Sequence, residues 1–175
     1  FRHLSQLDDG DKHSLSTVFH ERRGTIDASI EYLETLAGNY ARLSPTPERR
    51  PCDLNAIVNE AVRLSGEDDS VELRVNLSEG LPPVVGDPIA FRRILDNLIA
   101  NAIDSLVDGR GTVTITTRRA DNGGQPTIRL TVADTGCGMT DAETEKIFND
   151  FYTTKATGTG LGLSIVRRLV LDANG

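Results

Sequence analysis

Two asparagines, Asn97 and Asn101, stand four residues apart in the run Asp96-Asn97-Leu98-Ile99-Ala100-Asn101-Ala102. A four-residue step puts both amides on one face of a helix. Leu95, Leu98, Ile99 and Ile103 fall on other faces and can reach a core. Amides on so apolar a helix need polar partners if buried. An amide oxygen is a hard ligand of the kind Mg²⁺ accepts beside water and phosphate oxygens. Taken alone, the pair is as readily two solvent-facing or capping asparagines.

A second group follows the apolar run that ends at Ala133: Asp134-Thr135-Gly136-Cys137-Gly138-Met139. A carboxylate at a strand end, followed by alternating glycines, lets backbone approach a flat ligand closely. An ionised Asp only accepts hydrogen bonds, so Asp134 suits an exocyclic amine such as that of adenine. By itself the segment reads more simply as a turn opened by Asp. A third group is Thr153-Thr154-Lys155-Ala156-Thr157-Gly158-Thr159-Gly160-Leu161-Gly162-Leu163. Bare backbone N–H groups leading into a helix start form an anion site, and Lys155 adds a cation. It is neither a dinucleotide fingerprint nor a Walker A loop, because the glycine spacing fits neither. Its simplest reading is a flexible linker.

These groups need elements to hold them. Phe19, Ile26, Ile30, Leu33, Ala37 and Tyr40 recur at heptad-like steps, which predicts a long helix with a seam for a partner helix. The simpler alternative is an amphipathic helix packed on its own domain. Ser44-Pro45-Thr46-Pro47 ends it, and residues 44–52 read as a hinge. Asp53 caps a helix to about Leu64. Alternation over Val71–Leu77 predicts a strand, and Leu81–Val85 a short extended run. Asp87-Pro88 opens a helix to about Leu106. Residues 112–119 and 127–134 read as strands joined across Asp121-Asn122-Gly123-Gly124 as a hairpin. Residues 141–148 read as a short helix, 149–160 as irregular, and 161–172 as a last helix. Mixed strands and helices with an antiparallel hairpin predict an α+β fold, a two-layer α/β sandwich rather than a doubly wound sheet.

Composition narrows the partners. The 175 residues carry 19 Lys and Arg against 26 Asp and Glu, a formal net charge of −7. An acidic chain without a basic stripe is a poor match for nucleic acid. Any nucleotide site must therefore be built locally against a negative field. Cys52 and Cys137 have no metal-binding spacing, which fits a reducing, cytoplasmic setting. No apolar run is long enough to span a membrane, so no direct membrane contact is expected of these residues, and no signal peptide opens the sequence.

In order and spacing, the groups resemble the GHKL ATPase superfamily and, within it, the sensor histidine kinases. Asp96-Asn97-Leu98-Ile99-Ala100-Asn101-Ala102 resembles the N box and Asp134-Thr135-Gly136-Cys137-Gly138-Met139 the first glycine box. Phe148-Asn149-Asp150-Phe151-Tyr152 resembles the F box, and Gly158-Thr159-Gly160-Leu161-Gly162-Leu163 the second glycine box. The resemblance spans about residues 53–175. It implies the Bergerat ATP-binding fold, a mixed sheet plus helices, preceded by a long coiled-coil-like helix. Residues 48–175 become the ATP-binding catalytic domain, with C-terminal strands expected beyond Gly175. Residues 1–47 become part of a dimerisation hairpin, mainly its second helix, with the hinge.

The same resemblance implies roles. Asn101 holds Mg²⁺, and Asn97 stands where hydrolytic relatives place a glutamate base. Asp134 binds adenine within a loop shaped by Gly136 and Gly138. Lys155, Gly158, Thr159, Gly160, Leu161 and Gly162 form the lid that contacts phosphate, and Phe148 and Phe151 anchor its root in the core. The implied cofactors are ATP and Mg²⁺. The implied partners are a response regulator and a second copy of the parent, joined through hairpin helices. Of His3, His13 and His20, only His20 is followed by an acidic residue, and Gly24-Thr25 then replaces the family's Pro-Leu. The phosphoacceptor is thus expected upstream of Phe1, in a parent that can carry a membrane anchor. A hydrolytic ATPase of the superfamily and a nucleotide-binding module without turnover are the competing readings. Asn97 disfavours hydrolysis, because a neutral amide cannot take a proton from water.

Overall fold

A computed structural model describes residues 48–65, 70–155 and 158–175. The seam helix, the three histidines and residues 44–47 of the expected hinge lie outside the described residues. The elements are β1 (Arg50–Cys52), α1 (Leu54–Leu64), β2 (Val71–Leu77), β3 (Val84–Gly86), α2 (Pro88–Ser105), β4 (Gly111–Asn122), β5 (Gln125–Asp134), α3 (Asp141–Thr144) and α4 (Gly162–Asp172). A 3₁₀ turn at Val107–Gly109 links α2 to β4.

The helices start where their caps dictate. The Asp53 side chain accepts from the N–H groups of Asn55 and Ala56, satisfying two donors that the first turn leaves open. Asp87 accepts from Ile89 N at 2.9 Å, and Pro88 opens α2 where its missing N–H is harmless. Thr140 and Glu143 form a reciprocal capping box on α3. Those bonds, from the Thr140 backbone first and its hydroxyl second, hold the Glu143 carboxyl below the usual carboxylate range.

The main sheet has the order β2-β4-β5. β2 and β4 run parallel, with Leu73 opposite Val113 and Val75 opposite Ile115. A parallel pair needs a long crossover, and here the crossover carries α2. β4 and β5 are antiparallel, with Ile115 opposite Val132. Their turn is Gly123-Gly124, both at positive φ (63° and 86°), the backbone that suits a tight two-residue hairpin. The strands are therefore longer than 112–119 and 127–134, because the turn takes only two residues.

Val113 and Ile115 of β4 pack with Val58 and Ala61 of α1 and Leu95, Ile99 and Ala102 of α2. This makes two layers, helices on one face of a mixed sheet. Thr117 is the one buried polar side chain among the described residues. Its hydroxyl donates to Asn55 Oδ1 at 2.7 Å, and Asn55 Nδ2 donates to Ser78 O at 2.9 Å, fixing the start of α1 to the sheet. A second cluster, Ile94 with Val166 and Leu169, joins α4 to the side of α2.

Two expectations are corrected. Within the hinge expected at 44–52, Arg50–Cys52 is a strand paired antiparallel with β3. Pro51 is tolerated because this two-stranded ribbon leaves one edge of each strand unpaired. The helix expected over 141–148 is regular only to Thr144 and then continues as turns, with Ile147 N bonded to Glu143 O and Asn149 N to Lys146 O. Among the described residues no helix is long and apolar enough to cross a membrane.

Candidate functional site

α2 supplies the floor of the site. Leu95, Ile99 and Ala102 face the sheet and Ile94 faces α4, which leaves Asn97 and Asn101 half-buried beside α4. Asn97 Nδ2 donates to Arg93 O at 2.8 Å, one turn back. That bond holds the amide so that its oxygen points at the start of α4. A β-carbon on Gly162 would lie 3.1 Å from Asn97 Oδ1 and 3.6 Å from Asn101 Nδ2. A side chain at Gly162 would be tight against Asn97 and in ordinary contact with Asn101, so the helix start lies close to the asparagine pair. Among the described residues no side chain caps α4, which leaves its first-turn N–H groups suited to an anion.

The Asp134 loop is docked on the C-terminal end of α2, one turn beyond Asn101. Gly136 N donates to Asp134 Oδ1 at 2.9 Å, and Ser105 Oγ lies 2.9 Å from the same oxygen. The Ser105 hydroxyl has one proton and also lies 2.7 Å from Ala102 O, so it serves one acceptor at a time. Among the described residues, Asp134 Oδ2 has no hydrogen-bond partner, so an exposed acceptor is presented at the strand end. Cys137 N donates to Ser105 O at 3.0 Å. A β-carbon on Gly136 would meet Ser105 O at 2.6 Å, which requires glycine at this contact. Gly138 has open space around it and a φ of 69°, so its requirement is conformational. Thr135 Oγ1 accepts from Thr112 N at 3.0 Å and ties the loop to β4.

The second glycine segment begins at the third wall. A β-carbon on Gly160, at φ 69°, would lie 2.6 Å from Phe151 O, so two stretches of backbone touch there. Leu161 is buried and Thr159 exposed. Gly158 sits against Thr153 and the stem of Lys155. Lys155 Nζ donates to Asn101 Oδ1 at 2.9 Å and to Asp104 Oδ2 at 2.7 Å. The lysine expected at a phosphate thus rests on the amide oxygen expected at a metal.

Asn97, Asn101, Lys155 and Gly162 are brought together, with Asp134, Gly136 and Gly138 beside Ser105 at the C-terminal end of α2, next to the Lys155 partner Asp104. The expected anchoring role of Phe148 and Phe151 is overturned: they are 43% and 55% exposed. The turns after Thr144 carry Phe148 outward, and Phe151 has a φ of 67°, which sends its backbone rather than its ring toward Gly160. Two site residues escaped the sequence reading. Ser105 and Asp104 follow Asn101 at four and three residues, on the same helical face, and that spacing was the available signal.

These features fit a nucleotide: Gly136 presses against Ser105 where a side chain would collide, Gly162 lies close to Asn97, and an acceptor at Asp134 and a cation at Lys155 both stand near the C-terminal end of α2. Among the described residues no cluster of three His, Cys, Asp or Glu could cage a metal. The Asn101 amide oxygen is a hard oxygen donor of the kind Mg²⁺ accepts beside water and phosphate oxygens.

Comparison with known proteins agrees. The family described as histidine kinase-, DNA gyrase B-, and HSP90-like ATPase matches residues 86–175. The chain is 28% identical over 170 residues to sensor histidine kinase ZraS of Escherichia coli (strain K12), covering 95% of this chain and 34% of that protein. It is 34% identical over 133 residues to sensor protein FixL of Bradyrhizobium diazoefficiens, covering 73% of this chain and 25% of that protein. The chain thus spans about a third or less of these relatives' lengths. Among solved structures, the catalytic domain of histidine kinase ThkA matches with a TM-score of 0.63 and 29% identity, over 72% of this chain and 82% of that one. The mycobacterial sensor histidine kinase MprB matches with a TM-score of 0.62 and 26% identity, over 72% and 80%.

Proposed function

The chain belongs to the histidine kinase-, DNA gyrase B-, and HSP90-like ATPase family, and from that membership we propose that it is the catalytic region of a two-component sensor histidine kinase, binding Mg-ATP and passing the γ-phosphoryl group to a histidine. The observation that carries this reading is the contact of Gly162 with Asn97 and Asn101. It supports a phosphate shelf whose nearest side-chain groups are neutral amides.

Each residue then has a task. Asp134 Oδ2 accepts from the adenine amine, while Ser105 and the Gly136 N–H steady the other carboxylate oxygen. The open N–H groups at the start of α4 and the Lys155 ammonium receive phosphate oxygens. Asn101 Oδ1 holds Mg²⁺, which supplies charge neutralisation on the phosphates. Asn97 is the discriminating residue. Water must lose a proton as it attacks, and an amide cannot accept one at neutral pH. A neutral imidazole attacks through a nitrogen lone pair and forms the N–P bond as the bond to the β-phosphate oxygen breaks. Positioning and charge neutralisation suffice for that transfer.

The parent protein would act as a dimer through its hairpin helices and relay phosphate to a response regulator; relatives named sensor histidine kinase and sensor protein support a signalling role. Both cysteines are free thiols, which fits the reducing cytoplasm where ATP is abundant. The test is incubation with γ-labelled ATP and Mg²⁺ in the presence of a supplied helical hairpin bearing a His-Glu acceptor. Acid-labile label on the hairpin is expected, with little phosphate released in its absence. Rapid release without any acceptor favours the hydrolytic ATPase. Binding with neither transfer nor release favours a nucleotide-sensing module.

A further inference from the structure

We propose that Asp104 is a positioning residue that latches the lysine strap over Asn101 when nucleotide is absent, so that Lys155 and a divalent cation exclude one another at Asn101 Oδ1. The latch stands on the described geometry; the exclusion rests on the nucleotide reading above.

Lys155 reaches Asn101 and Asp104 from 54 and 51 residues away in sequence. The two acceptors are three residues apart on α2, hence on one face, and both oxygens meet a single ammonium. A lysine stem is long and flexible and must be held to be located at all. The charged partner does most of that work, since a bond between two ionised groups is stronger than one to a neutral amide. The bond to Asp104 is also the shorter of the two. The side chain is tied to its backbone as well: Lys155 N donates to Thr153 Oγ1 at 3.1 Å, and Gly158 lies against Thr153 and the lysine stem. Fixing the ammonium therefore fixes the strap from Thr153 to Lys155.

The pair is 38% and 56% exposed, so it has the modest strength of a surface ion pair and opens readily. A divalent cation on Asn101 Oδ1 would share its oxygen with the ammonium. Like charges that close repel, so Lys155 must leave. Once released, its cation can turn to phosphate. Asp104 thus sets how firmly the strap is held shut before nucleotide arrives, without itself touching nucleotide.

The test is hydrogen exchange on the whole chain, following a peptide that covers residues 151–155. Without nucleotide, Asp104→Asn is expected to raise exchange about two- to fivefold, the size of an exposed pair. Lys155→Ala should do the same, and the double variant should exchange no faster than either single one. Saturating Mg-AMPPNP should abolish the difference between the parent chain and Asp104→Asn. Unchanged exchange in nucleotide-free Asp104→Asn, or additive effects in the double variant, overturns the latch. A difference that persists with Mg-AMPPNP bound overturns the exclusion. If calorimetry detects no Mg-AMPPNP binding at all, the nucleotide reading and the exclusion fall together, while the nucleotide-free comparison still decides the latch.

Discussion

At the scale of single residues, the site depends on which atoms are already engaged. Asp134 uses Oδ1 on Ser105 and Gly136 and presents Oδ2 outward. Asp134→Asn should therefore weaken ATP binding with the fold intact. A hydrogen bond to a charged group contributes about 1.5–3 kcal/mol, or roughly ten- to a hundredfold in affinity. Calorimetric titration measures it directly, and parent-like affinity in the variant would remove Asp134 from the adenine role. The asparagines and glycines were legible as chemistry because their spacing is tied to backbone geometry. Phe148 and Phe151 were misread because aromatic residues ordinarily seek the core, and nothing in the sequence reports the left-handed backbone at Phe151.

At the scale of elements, caps and turns wrote themselves plainly. Asp53, Asp87 and Gly123-Gly124 start or turn the chain where their side chains and φ preferences require. Pairing between distant segments was less legible. In sequence β1 reads as part of a hinge because three residues carry no periodicity, and β3 across from it makes them a strand. The tie from Thr117 to Asn55 is similar: 62 residues separate the partners, and a threonine on a half-apolar strand reads as solvent-facing. Thr117→Val keeps the volume but leaves Asn55 Oδ1 without its donor. The loss should be about 1 kcal/mol, the low end of the cost of an orphaned acceptor, because Asn55 is half-buried. Urea denaturation would show a lower midpoint with an unchanged slope. Asn55→Val combined with Thr117→Val should cost less than the sum of the single changes, and strict additivity would mean that the two side chains do not act as a pair.

At the scale of the whole molecule, the site draws on both apolar clusters, since α2 joins the sheet core on one side and α4 on the other. A ligand held by the Asp134 loop, α2 and the start of α4 must therefore stabilise the fold as a unit. At a hundredfold excess over Kd, Mg-AMPPNP should add about 2.7 kcal/mol to the unfolding free energy. Scanning calorimetry would register this as a higher Tm that keeps rising with ligand concentration. An unmoved transition at high ligand would count against nucleotide binding.

The sequence by itself determined the helix starts, the hairpin, the two-layer class and the identity of the chemical groups. Those follow from local rules, in which spacing of two, three or four residues decides which side chains share a face and glycine marks where backbone must come close. Only the tertiary structure decided which partner each group has. Gly162 closing on Asn97, Gly136 pressing on Ser105 and Lys155 seated between Asn101 and Asp104 all join residues from 31 to 65 positions apart. No local periodicity encodes such a meeting, because it arises from how α2 is gripped between the sheet and α4.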